Sequence, residues 1–364
     1  MRPRNLARRE LLRRAASLGL GASGVSLLLD ACGRDMGDGG ATGGDLGPIE
    51  DRLNVYNWSD YIAPDTIAGF EREFGVRVSY DTFESSEELL ARLQAGASGY
   101  DLVMPSTYIV AALVGTGIAL PLSTRYLPNL VNLAPFVRGL PHDPALTHTV
   151  PWLWGTTGIA YREDLVGQVP ASWGTFQDAR LRRKMTMLDD MRDVLGSWLR
   201  FRGRSLNSIV PAELEAAKQD AVAAKANLRA FVSAPVKAQL IAGDVAVAQL
   251  WNGDSAQAAR EQPGIRFVLP EEGGTLWIDS MMIPRSAPHK RAAHEFINYA
   301  LRAEVGAAIA QATGYGTPNQ AALPLVTDPV PYPTERELAR LEIQNDLGRA
   351  SELWDRIWTE VKSA

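Results

Sequence analysis

Between residues 53 and 114 the chain alternates short apolar runs with amphipathic stretches, and this alternation limits the folds open to it. Leu53-Asn54-Val55-Tyr56 reads as a buried strand. Pro64 falls in the first turn of a helix predicted to run to Glu73, and Gly75 stops it. Val76-Arg77-Val78-Ser79-Tyr80 alternates as a strand does. Ser85 and Glu88 have capping-box spacing for a helix over residues 87–94, which Gly96 follows. Tyr100-Asp101-Leu102-Val103-Met104 is the next strand, closed by Pro105, and residue 109 opens another helix. Strands alternating with helices imply an α/β fold with a mainly parallel sheet and helices on both faces. Such sheets bind ligands just beyond the C-terminal ends of their strands. Residues 57–61 and 106–108 therefore lie where a site belongs.

The second half predicts a second lobe. Residues 151–161, with two tryptophans and two glycines, read as a crossing. Thr186-Met187-Leu188 is a short strand that runs into Asp189-Asp190-Met191-Arg192-Asp193, and a helix is expected near residues 210–229. A strand over 245–250 ends in Trp251. Residues 275–283 form a strand that carries the chain back, helices over 289–314 rejoin the first lobe, and the tail from Pro333 is helical and crosses again. No internal repeat is present.

Three strand-like runs end in tryptophan followed closely by aspartate: Trp58-Ser59-Asp60, Trp251-Asn252-Gly253-Asp254 and Trp277-Ile278-Asp279. On a strand, positions i and i+2 point to the same side. An indole face attracts cations, and a carboxylate attracts them more strongly. Taken singly, each pair reads as a core tryptophan beside a turn-capping aspartate; for Asp254 this means capping a helix over 255–260. Three pairs together point to a pocket for an organic cation. Trp354-Asp355 falls in a helical segment where neighbours diverge, and no role is assigned to it.

The N-terminus reads as an address rather than as fold. Ala7-Arg8-Arg9-Glu10-Leu11-Leu12-Arg13 resembles a twin-arginine export signal, and the uncharged run 15–29 is shorter than a membrane span. Leu29-Asp30-Ala31-Cys32 resembles a lipobox with Cys32 as the lipidated residue, although Asp30 departs from the small uncharged residue usual there. Residues 1–32 are thus read as an export signal and 33–51, rich in glycine and aspartate, as a flexible tether. Cys32 is the only cysteine, so no internal disulfide exists. The whole chain carries −5; residues 1–32 hold six arginines against two acids, which leaves −9 on the remainder. An acidic body argues against nucleic acid as ligand and suits small cations.

At Asn57-Trp58-Ser59-Asp60-Tyr61-Ile62 the chain resembles the periplasmic polyamine-binding proteins, the spermidine/putrescine receptors of ABC importers. Matching segments follow in family order: Tyr100-Asp101-Leu102-Val103-Met104-Pro105-Ser106-Thr107-Tyr108, Leu250-Trp251-Asn252-Gly253, Pro270-Glu271-Glu272-Gly273-Gly274, Trp277-Ile278-Asp279-Ser280, Gly314-Tyr315-Gly316-Thr317-Pro318-Asn319 and Gln344-Asn345-Asp346. The resemblance implies a two-lobed periplasmic-binding-protein fold of type II with a hinge. The expected lobes are 52–152 plus 281–325 and 153–280 plus 326–364. It implies a polyamine gripped by carboxylates at its ammonium groups and by aromatic rings along its methylenes. Asp60 and Asp279 match the ammonium-binding acids. Trp58, Tyr61, Tyr108, Trp251 and Trp277 match the aromatic walls, and Ser59, Ser106, Asp190, Arg192 and Gln344 match polar contacts. Asp193 stands where the family usually has glutamate. Asp254 is shared with putrescine-preferring members, whereas Trp277 and the Ser106-Thr107-Tyr108 turn are similar to the spermidine type. The implied partners are a polyamine and ABC permease subunits, with the chain a monomer in the periplasm or at the outer face of the cytoplasmic membrane, using no cofactor and no metal.

The residues agree with this expectation on physical grounds. A polyamine carries separated positive charges joined by methylenes. Each buried ammonium needs a carboxylate or several acceptors, and the methylenes favour flat apolar walls. Other classes fit less well. An enzyme reading lacks a nucleophile elbow and a phosphate loop in the body of the chain, and His142, His148, His289 and His294 read as surface residues. Ferric iron calls for clustered tyrosines, and a phosphonate calls for convergent basic groups. A binding protein for another small organic cation, and a polyamine sensor without transport, are the other readings of the same pocket.

Overall fold

The computed structural model describes residues 45–364 apart from 97, 98, 234 and 329–331. The export signal and Cys32 lie outside the described residues. In chain order the first elements are β1 (Arg52–Trp58), α1 (Pro64–Phe74), β2 (Arg77–Phe83), α2 (Ser86–Gln94), β3 (Leu102–Val103) and α3 (Thr107–Gly115). The middle of the chain forms β4 (Thr149–Arg162), α4 (Glu163–Val166), β5 (Met185–Met187), α5 (Met191–Phe201), α6 (Pro211–Lys225), β6 (Leu228–Phe231), α7 (Val236–Ala242), β7 (Val247–Trp251), α8 (Asn252–Glu261) and β8 (Ile265–Val268). The chain ends with β9 (Thr275–Met282), α9 (Lys290–Ala300), α10 (Ala303–Thr313), α11 (Glu335–Leu338), β10 (Glu342–Ile343) and α12 (Ser351–Ser363).

The strands run in the order β2-β1-β3-β9-β4-β7-β5-β6, with β8 beside β4 and β10 beside β9. The flanks are parallel, as the alternation predicts: β1 pairs with β2 and β3, and β5 pairs with β6 and β7. The centre is antiparallel. Strand β9 runs against β3 and then against β4 from Thr149 to Thr156. Beyond Thr156, β4 changes partners to β7 and β8. Alternation along β1 explains the double covering of its sheet. Leu53 and Val55 enter one core, whereas Tyr56 enters another with Phe83 and Leu89 under α2 and α3.

Two main apolar cores result. One gathers Leu53, Phe70, Met104, Val150, Leu153, Ile278 and Phe296. The other gathers Ile159, Trp173, Met185, Leu195, Trp198, Val247 and Trp354. Strand β4 contributes to both, through Val150 and Leu153 in the first and Ile159 and Tyr161 in the second. Trp354, Ile357 and Trp358 of α12 pack in the second core.

Local signals decide most element ends. Gly75 takes φ 68° and donates its amide to Glu71 O, which closes α1. Ser85 caps α2 by accepting from Glu88 N at 3.1 Å. The Glu88 carboxylate bonds Glu84 N instead of returning to Ser85, so the capping box is only half formed. Three expectations need correction. The tether ends sooner than residue 51: Ile49 packs on the first core, and Glu50 accepts from the amides of Arg291 and Ala292 at the start of α9. His294 is not a surface residue; it is fully buried, its Nε2 accepting from Ser123 N at 3.0 Å. The tail is only partly helical, because β10 interrupts it to pair with β9.

Candidate functional site

A cavity of about 740 Å³, including its open mouth, lies where the ends of β1 and β7 and the middle of β9 meet the residues just before α3 and α5 and the first turn of α7. Thirteen of the fourteen expected contact residues line it, which leaves a single exception to explain.

The three tryptophan–aspartate pairs arrive by three different routes. Trp277 and Asp279 lie on β9, and both reach the cavity from one side of the strand. Trp58 ends β1, and its indole donates to Met104 O at 3.1 Å. Asp60 lies beyond the strand with φ 53°, so a left-handed turn, and not strand alternation, brings it beside Trp58. Trp251 ends β7 and is the N-cap of α8, which places Asp254 inside the first helical turn. Asp254 therefore does not cap that helix. Its Oδ1 accepts from the Tyr315 hydroxyl at 2.8 Å.

Asp279 is nearly inaccessible and accepts from Ser106 Oγ at 2.6 Å. Burial outweighs that bond and pushes its carboxyl up to about 7. Asp193 is equally buried. It accepts from Thr157 Oγ1 at 3.0 Å, from the Trp251 indole at 3.1 Å and from Gln344 Nε2 at 3.3 Å. Burial, helped by the charge of Asp190, also raises it to about 7. Asp190 caps α5 by accepting from Asp193 N at 2.8 Å and is raised by burial too. Asp254 shifts in the same direction for the same reason. Four carboxyl groups are thus held where ionisation is costly, and among the described residues none of the four forms an ion pair. A cation entering the cavity would relieve that cost.

Aromatic rings fill the space between these acids. Tyr61, Trp277 and Tyr315 meet edge to face, Tyr61 at 5.1 Å and Trp277 at 5.2 Å from the Tyr315 ring. Trp58 and Trp251 approach to 6.2 Å. Tyr108 lines the cavity, and Ser59 donates from the mouth to Glu84 Oε1 at 2.7 Å.

Arg192 is the exception and corrects the expectation of a polar contact. It is buried beside the cavity, not in its lining. Its guanidinium donates to Asn345 O and Asn207 Oδ1, both at 2.9 Å. It stacks between Tyr108 at 5.1 Å and Trp354 at 5.0 Å. Trp354, given no role from sequence, is thus the platform that holds Arg192 against a wall residue. Glu84, Lys237 and Tyr315 line the cavity and are absent from the expected set. Glu84 directly follows β2, so the strand-end rule extends to it. Tyr315 lies inside a matched motif, but its bond to Asp254 spans 61 residues. Lys237 carries no local signal. Among the described residues no group of acids, histidines or cysteines is arranged to hold a metal.

Gly253 shows how tightly this wall is built. A Cβ there would overlap the Tyr315 ring. Gly253→Ala should cost about 1–3 kcal/mol of stability by overpacking, read as a lowered Tm in thermal unfolding, and should tilt Tyr315 away from Asp254.

Comparison with known proteins extends over nearly the whole body. The family model described as bacterial extracellular solute-binding protein matches residues 65–334. The chain belongs to that family. This solute-binding protein is 34% identical to the spermidine/putrescine-binding periplasmic protein of Salmonella typhimurium, over 86% of this chain and 92% of that one. It is also 34% identical to the putrescine-binding periplasmic protein PotF of Escherichia coli, over 88% and 94%. Among solved structures, the TpPotD lipoprotein of Treponema pallidum superposes with a TM-score of 0.79 at 30% identity, covering 86% of this chain and all of that one. The periplasmic-binding-protein fold implied by the sequence is thereby established.

Proposed function

We propose that this solute-binding protein captures a polyamine, spermidine or putrescine, and delivers it to an ABC importer. The observation that carries the reading is the set of buried carboxyl groups at Asp279, Asp193 and Asp190, which form no ion pair among the described residues, set among Trp58, Tyr61, Trp251 and Trp277. Such a cavity stabilises separated ammonium groups through its acids and methylenes through its rings. Spermidine- and putrescine-binding relatives at similar identity support it. In this reading residues 52–152 plus 281–325 and 153–280 plus 326–364 act as two lobes that close over the ligand about the β4 and β9 crossings. The protein works as a monomer at the periplasmic face, exported by its N-terminal signal, anchored through Cys32, and paired with permease subunits. It acts by binding alone, with no catalytic step. Calorimetric titration with putrescine, cadaverine, spermidine and spermine tests the reading. One-to-one binding of at least one of them is expected; heat changes no larger than dilution for all four would refute it.

A further inference from the structure

Lys237 is the one basic side chain lining the cavity among the described residues, and no sequence motif contains it. It is the second residue of α7. A helix's first turn favours acids over bases, so the helix itself gives no reason for a lysine there. Its Nζ donates to Asp60 Oδ2 at 2.6 Å and to Gln257 Oε1 at 2.9 Å. Gln257 is itself fixed, its Nε2 donating to Thr313 O at 2.8 Å. The lysine side chain is 19% exposed and its aspartate 68%, so the ammonium is drawn inward beneath the mouth. The pair also joins opposite sides of the cavity. Val236 and Leu240 anchor α7 among residues packed with Ala248 and Leu250 of β7, whereas Asp60 follows β1.

We propose that Lys237 is a resident cation that fills the Asp60 end of the cavity in place of a ligand ammonium, and thereby matches the pocket to a diamine. The inference rests on the polyamine reading above. Charge counting supports it. Glu84 lies at the same end, linked to Asp60's neighbour Ser59 at 2.7 Å, and Asp254 feels the charges of both Lys237 and Asp60. That end already holds its cation. Asp254 shares the Lys237 charge through space. Asp279 and the Asp190–Asp193 pair lie outside that pairing; Arg192 acts on the latter two only through space, its terminal nitrogens donating to Asn345 and Asn207 instead. A diamine supplies one ammonium to each of these two positions. A triamine brings a third ammonium. It must either remain in water at the mouth or displace Lys237 from Asp60, and each buried ammonium needs a carboxylate of its own.

The test is calorimetric titration of the unaltered protein, Lys237→Met, Lys237→Gln and Lys237→Arg with putrescine and with spermidine. Methionine keeps most of the length and the apolar stem and removes the charge; glutamine also removes the charge, with a shorter stem and a polar end, should methionine disturb folding. The unaltered protein should prefer putrescine. Both neutral variants should bind spermidine at least tenfold more tightly, with putrescine changed less than threefold, and Lys237→Arg should keep the original ratio. An unaltered protein that prefers spermidine overturns the proposal. So does an equal gain for both ligands, which would make Lys237 a general source of repulsion, or no change for either. Binding of neither polyamine by the unaltered protein would remove the polyamine reading and this inference with it.

Discussion

Asp279→Asn should weaken polyamine binding by about 2–5 kcal/mol, because it removes the charge partner of a desolvated ammonium. That is a loss of roughly 30-fold to several thousandfold in Kd. The free protein should tolerate the change well. Burial already holds the Asp279 carboxyl near neutrality, up to about 7, so asparagine resembles the form the fold favours. Its side-chain oxygen can still accept from Ser106, as Oδ1 does at 2.6 Å. Affinity should therefore collapse while Tm stays level or rises. Asp355 lies outside the cavity, and Asp355→Asn should leave binding unchanged. Parallel titrations and melts of the two variants decide the matter; matching losses of affinity at both positions would mean that the ammonium site is elsewhere.

Affinity should also climb with pH. Asp279 and Asp193 both titrate near 7 in the free protein, raised first of all by burial. An ammonium binds their ionised forms, so binding must release protons wherever they are protonated beforehand. Between about pH 5 and 7 each carboxyl can add up to about tenfold in affinity per pH unit, and the rise should level off above about 8. Folding stability changes in the opposite sense. These two groups hold protons more tightly folded than unfolded. They favour the ligand-free fold below the ordinary carboxyl range near 4, and that contribution is lost as pH rises through 7. Titrations in buffers of different ionisation enthalpy would count the released protons directly. A Kd that is flat from pH 5 to 8 would mean that the two acids are already charged in the empty pocket.

Much of this site was legible because its residues end strands. Trp58, Ser106 and Trp251 each stand where an apolar run stops, and an α/β sheet presents such positions to its ligand. What the sequence hid is of three kinds. Asp60 reaches the cavity through a left-handed turn that alternation cannot foresee. Arg192 has a charged side chain and acidic neighbours, yet two aromatic faces from distant segments draw it out of the cavity. Tyr315 and Lys237 meet their carboxylates only through packing of segments far apart in the chain. Fold class followed the same division. The parallel flanks could be read from local alternation, whereas the antiparallel centre depends on β9 returning to pair with strands made much earlier.

That late return governs how the molecule comes into being. Ser106 is bonded to Asp279 across 173 residues, and Val103 finds its β partner only at Met282. A chain emerging from the ribosome N-terminus first holds β1, β2 and β3 with one edge open until β9 has been synthesised, and unpaired edges invite pairing with other chains. Neither half can be completed first and kept in reserve. The protein must be made, and kept from aggregating, almost to its end before either core can close.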